Sequence, residues 1–223
     1  MKVTSLLLIA FFSVFSGCKS PEKTFPVSEP ESTEYEDSVE DVINWRRSPN
    51  LQGWWNDPPN IRICSDTRVT KSRVESAIRW WERQGYSFGR IIVDDTIPCE
   101  GRMFEILFRL PKQSDFERKD LSSHLACTLT FRLQATSEII RSEIFFINQA
   151  DSNRPLMMEH ELGHALGWQH VNSSYHIMNP EYNMTGNTAR GVNHSDYIIR
   201  RREFIGDPEE EEIGSLEGGA AVR

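Results

Sequence analysis

The chain has 223 residues, with 33 acidic against 25 basic side chains and a formal net charge of -8. That length allows one globular domain with tails, and an apolar share of 38% is enough for a core. The acidic balance speaks against a nucleic-acid partner, whose phosphates demand a basic face.

The N-terminus reads as a targeting segment. Lys2 supplies a positive start, Leu6 to Phe15 is apolar, and Ser16 and Gly17 are small. This order predicts a secretory signal over residues 1–17, and its apolar run is short for a membrane span. Phe15-Ser16-Gly17-Cys18 resembles the lipobox of bacterial lipoproteins, whose cysteine is lipidated and becomes the new N-terminus. The resemblance implies lipidation at Cys18 and a lipid anchor on the cell-envelope membrane, the outer membrane where there is one. Plain secretion is the alternative.

Residues 18–50 hold that anchor site and a stretch rich in Pro, Glu and Ser, too polar to offset the entropy of ordering. They read as a disordered acidic tether, and residues 207–223, with Glu209 to Glu212, as a disordered acidic tail. Four cysteines are present. A lipidated Cys18 leaves one disulfide and one thiol, whereas an unmodified Cys18 allows two bridges. Cys64 with Cys99 is the expected pair, because both would follow neighbouring strands.

The domain is expected over residues 51–206. Ile61 to Cys64 reads as a strand. Ser72 with Glu75 fits a capping box, and Val74, Ala77, Ile78 and Trp81 follow at helical spacing, with Gly85 as a stop. Trp54 and Trp55 either pack the domain entrance or form an exposed patch. Strands are expected at Ile91 to Val93, Phe104 to Leu110, Cys127 to Leu133 and Glu143 to Ile147. Cys127, Leu129, Phe131 and Leu133 alternate with polar residues, as in a half-exposed strand. Pro155 should open a long helix, and Asp196 should start a last one, as its cap or as a support for the active-site base. The order predicts an α/β (α+β) fold, a mixed sheet with helices packed on it.

The helix after Pro155 carries His160-Glu161-Leu162-Gly163-His164-Ala165-Leu166-Gly167-Trp168-Gln169-His170. His160 and His164, four apart, share a helix face and can reach one metal ion. Gly167 can take the left-handed conformation that ends a helix, so the chain can turn and bring His170 in as a third ligand. Three protein ligands leave one position open, as in catalytic zinc sites. Glu161 points about 100° away around the helix, suited to hold a water and move its proton rather than to bind the metal.

This sequence resembles the metzincin clan of zinc endopeptidases, whose H-E-x-x-H-x-x-G-x-x-H pattern and methionine turn it matches in full. The methionine is Met178, eight residues after His170, and with Pro180 this looks most like the matrixin branch. The resemblance implies a twisted mixed sheet of four to five strands, an active-site helix and a C-terminal helix. It also implies one catalytic Zn2+, Met178 as an apolar base beneath it, and Pro180 in the wall of the primed-side pocket. Ca2+ is not indicated. Val171 stands where matrixins usually carry serine, and no cysteine-bearing inhibitory segment is evident. His124, His176 and His194 do not form the second zinc cluster of that branch. His176 reads as a surface histidine, with a supporting role behind the metal as the alternative.

In the clan an extended peptide pairs with an edge strand, here expected at Cys127 to Leu133 if that strand is not interior. The expected function is a monomeric exported endopeptidase acting on proteins or peptides. Two alternatives stay open: a catalytically silent zinc-binding lipoprotein acting in adhesion or as a partner's anchor, and a zinc peptidase using Glu181 or Glu203 as third ligand.

Overall fold

The computed structural model describes residues 12–16, 49–118 and 124–205. Cys18, most of the tether and the acidic tail lie outside these residues. Second from one edge of the sheet, β2 (Asn60–Cys64) runs parallel to the edge strand β3 (Ile91–Asp94) and to β4 (Glu105–Phe108). Next to β4 lies the parallel β6 (Ile139–Phe146), and β5 (Ala126–Leu133) is antiparallel to β6. These five strands are the mixed sheet that the sequence predicts.

A sixth strand comes from the segment read as a signal. β1 (Phe12–Ser16) runs antiparallel along the outer side of β5, with Phe12 opposite Leu133 and Ser16 opposite Leu129. Phe and Val favour the extended backbone, and the open side of an edge strand offers unpaired N–H and C=O groups. Within residues 60–146, β5 is the outermost strand on its side.

Strand alternation sorts the two faces. Ile61, Ile63, Ile106, Phe108, Ile144 and Phe146 point into the main core with the helices. The opposite face carries a small cluster of Cys127, Leu129 and Phe145. It also carries ion pairs: Arg62 holds Asp94 and Glu105, and Arg109 holds Asp115 and Glu143. Each guanidinium is buried with two carboxylates, so neither charge is left alone away from water. Cys64 and Cys99 are disulfide-bonded, tying the end of β2 to the loop after β3.

Helix α1 (Lys71–Glu82) buries Val74, Ala77, Ile78, Trp80 and Trp81. Its cap is Thr70, whose side chain accepts from Arg73 N, not Ser72; Glu75 reaches Lys71 rather than the helix N-terminus. Thr70 wins because its backbone is extended and its hydroxyl lies three residues ahead of that N–H. A short helix α2 (Gln113–Arg118) was not anticipated. The active-site helix α3 (Met157–Ala165) starts two residues later than Pro155 suggests, because Leu156 takes a left-handed conformation at φ 61°. The last helix, α4 (His194–Ile205), is capped by Asn193, which accepts from Asp196 N; Asp196 lies inside the first turn. Trp54 and Trp55 are buried in the core, so they pack the domain entrance. Among the described residues, no helix is long and apolar enough to cross a membrane.

Candidate metal centre

Helix α3 ends in a Schellman motif. Gly167 N–H reaches His164 O at 2.9 Å and Trp168 N–H reaches Gly163 O at 3.0 Å, with Gly167 at φ +104°. This closure satisfies carbonyls that a helix end leaves open and reverses the chain. A Cβ at Gly167 would lie 2.1 Å from Gly53 O, so this turn can pass the 50–53 segment only as glycine. That segment then holds the returning chain, through Gln52 N to Gly167 O and Gln169 N to Asn50 O, both 2.9 Å.

The turn delivers His170 to the two histidines of α3. The three Nε2 atoms lie 3.2, 3.1 and 3.0 Å apart, for His160–His170, His160–His164 and His164–His170. In His160 the Nδ1–H donates to Ile177 O, and in His164 to Trp168 O, each at 2.7 Å. A carbonyl can only accept, so both rings carry their proton on Nδ1 and turn an Nε2 lone pair toward the common centre. Burial also holds both imidazoles neutral, lowering His160 to about 4 and His164 well below its ordinary value. Converging lone pairs repel unless a cation lies between them. A tetrahedral zinc with bonds of about 2.0–2.1 Å sets its nitrogens about 3.4 Å apart, close to what is seen. These three residues could therefore hold a metal ion.

Met178 lies beneath the helix. A Cβ at Gly163 would fall 2.3 Å from Met178 Sδ and 2.9 Å from Trp81 Cζ2, so this glycine makes room for the thioether. Val171 N to Met178 O at 3.0 Å and Asn179 N to His176 O at 3.1 Å close the loop around it. Pro180 follows and is exposed.

Glu161 is buried, and its Oε2 accepts from Thr128 Oγ1 at 2.6 Å. Burial pushes its carboxyl up to about 7, with the Thr128 hydrogen bond opposing. Thr128 was missed at the sequence level. In β5 the apolar positions Cys127 and Leu129 face the small cluster away from the helices, while Thr128 and Thr130 face α3. Strand alternation is visible in the sequence, but β5 is not half-exposed: Cys127 and Leu129 are buried on one face and Thr128 and Thr130 on the other. The polar positions are needed inside because they face carbonyls of α3: Thr130 Oγ1 lies 3.5 Å from His164 O, and Ser142 Oγ lies 3.3 Å from Ala165 O.

Asp196 does not brace Glu161; Thr128 does. His176 is not on the surface but 1% exposed, directly behind the methionine turn. Trp168 is buried against Tyr86, donating from Nε1 to its hydroxyl at 2.8 Å.

A mixed five-stranded sheet carrying a helix with this histidine set defines a zinc metallopeptidase. The matrixin family model matches residues 60–199, and the chain belongs to that family. No curated protein matches the chain.

Proposed function

We propose that this protein is an exported zinc endopeptidase, anchored by lipid at Cys18, that cleaves peptide bonds in extended segments of proteins or peptides. His160, His164 and His170 hold the ion, and Glu161 is the general base. The observation that carries this reading is the convergence of three Nε2 atoms within 3.2 Å of one another, two of them with fixed tautomers. Zinc, when bound, polarises the scissile carbonyl and acidifies water. Glu161 takes a proton from the attacking water and passes it to the leaving amine. Thr128, donating to one carboxylate oxygen, leaves the other free for that transfer.

Cleavage within a chain, rather than at its end, is supported by β5. Its outer side pairs with an extended segment through five residue pairs, Phe12 to Ser16 against Leu133 to Leu129. Backbone pairing of this kind needs no chain terminus. Removal of residues 1–17 as a signal would free that side for a substrate.

A silent zinc-binding protein has no use for a buried carboxylate next to its ligands, which disfavours that alternative. The test is cleavage of a generic unfolded protein by the zinc-loaded chain and by Glu161→Ala. The variant should keep its zinc and lose about 100- to 10,000-fold in rate. Equal rates at equal zinc content would refute the role of Glu161.

A further inference from the structure

We propose that His176 is a positioning residue for the metal ligand His160, acting through the single peptide group that joins Ile177 to Met178. This rests on the reading of His160 as a zinc ligand. The N–H of that peptide, on Met178, donates to His176 Nδ1 at 3.0 Å. Its carbonyl, on Ile177, accepts from His160 Nδ1 at 2.7 Å. A peptide group is planar, so fixing its N–H fixes the direction of its C=O. The far side of His176 is anchored as well, Nε2–H donating to Arg190 O at 2.9 Å. A carbonyl on one nitrogen and an amide N–H on the other leave the ring one tautomer, Nε2–H, and one orientation.

The result is a continuous line from the Arg190 carbonyl through His176 and the methionine-turn peptide to the ring of His160. The turn is also held from outside: Ile177 N donates to Thr188 O at 2.9 Å, and His176 bridges Thr188. His176 itself is 1% exposed, and its bond to Met178 N–H is buried. Groups that orient a ligand's second nitrogen tune both its tautomer and its basicity. His176 does this one step removed, because the group it orients is a peptide.

The test uses His176→Asn, His176→Gln and His176→Leu in the full chain. Asparagine Oδ1 takes the place of Nδ1 and still accepts from Met178 N–H, but it cannot reach Arg190. Glutamine keeps the Arg190 contact and gives up the acceptor. Zinc affinity is measured by chelator competition at pH 7.5, together with the visible spectrum of the Co2+-loaded protein and the melting temperature of the metal-free protein. Wild type and Asn should bind zinc within about threefold of each other with matching cobalt bands. Gln and Leu should bind about 10- to 100-fold more weakly, with altered bands. If Leu fails to fold, the order of Asn over Gln decides. Equal affinities in all folded variants, or Gln binding tighter than Asn, overturns the proposal. A merely structural His176 would lower the melting temperature without moving the cobalt spectrum. Wild type that fails to take up zinc would instead sink the underlying reading of His160.

Discussion

Glu161 shows how one buried carboxylate sets function against stability. Its ordinary value of 4.5 rises to about 7 because burial penalises the charged form. A folded-state value above the unfolded one means that the folded chain holds the extra proton. The metal-free protein therefore loses stability as pH climbs through 4.5 to 7, and the whole loss is present above 7. Glutamine cannot ionise and still offers an oxygen to Thr128. Glu161→Gln should thus stabilise the metal-free protein at pH 8 by about 1–3 kcal/mol, and by little at pH 4.5. Urea midpoints of chelator-treated protein at the two pH values check this. An equal gain at both, or a loss at pH 8, would show that the carboxylate is not the strained group.

At the scale of elements, the helix end at Gly167 decides whether the site exists. Its positive φ and the 2.1 Å approach to Gly53 O leave no room for a side chain. Gly167→Ala should cost about 2–4 kcal/mol in a denaturant melt and weaken zinc binding in parallel. A variant with unchanged stability and metal affinity would mean that the turn reshapes freely. The same contrast explains what could be read from the chain. His160, Glu161, His164, Gly167 and His170 lie within eleven residues, so local helical geometry alone predicts their meeting. The helix starts differ from the sequence reading by two residues, the cap at Thr70 rather than Ser72 and the first turn at Met157 rather than Pro155, because they depend on the local backbone at Thr70 and Leu156. Thr128 has no role in the sequence reading, and His176 has one only as the alternative to a surface histidine, for a different reason. Their partners are Glu161, 33 residues on, and the carbonyl of Arg190, 14 on. Neither pairing follows from spacing, and a polar residue on an alternating strand is ordinarily assigned to solvent.

For the whole molecule, sheet order links the scaffold to the chemistry. The parallel strands β2, β4 and β6 build the buried floor, and the antiparallel β5 brings Thr128 to α3 on one face and pairs with β1 along its outer side. The disulfide Cys64–Cys99 and the two arginine-centred ion networks stiffen the far side of the sheet, away from the histidines. The candidate metal site lies where α3, its glycine turn and the methionine turn meet. Convergence of the three histidines on one ion is tested most directly by zinc per chain, by elemental mass spectrometry after dialysis, for wild type and His170→Ala. Wild type should hold one zinc tightly, and the variant should lose it. Wild type that stays metal-free in excess zinc, or a variant that binds the ion as tightly as wild type, would contradict it.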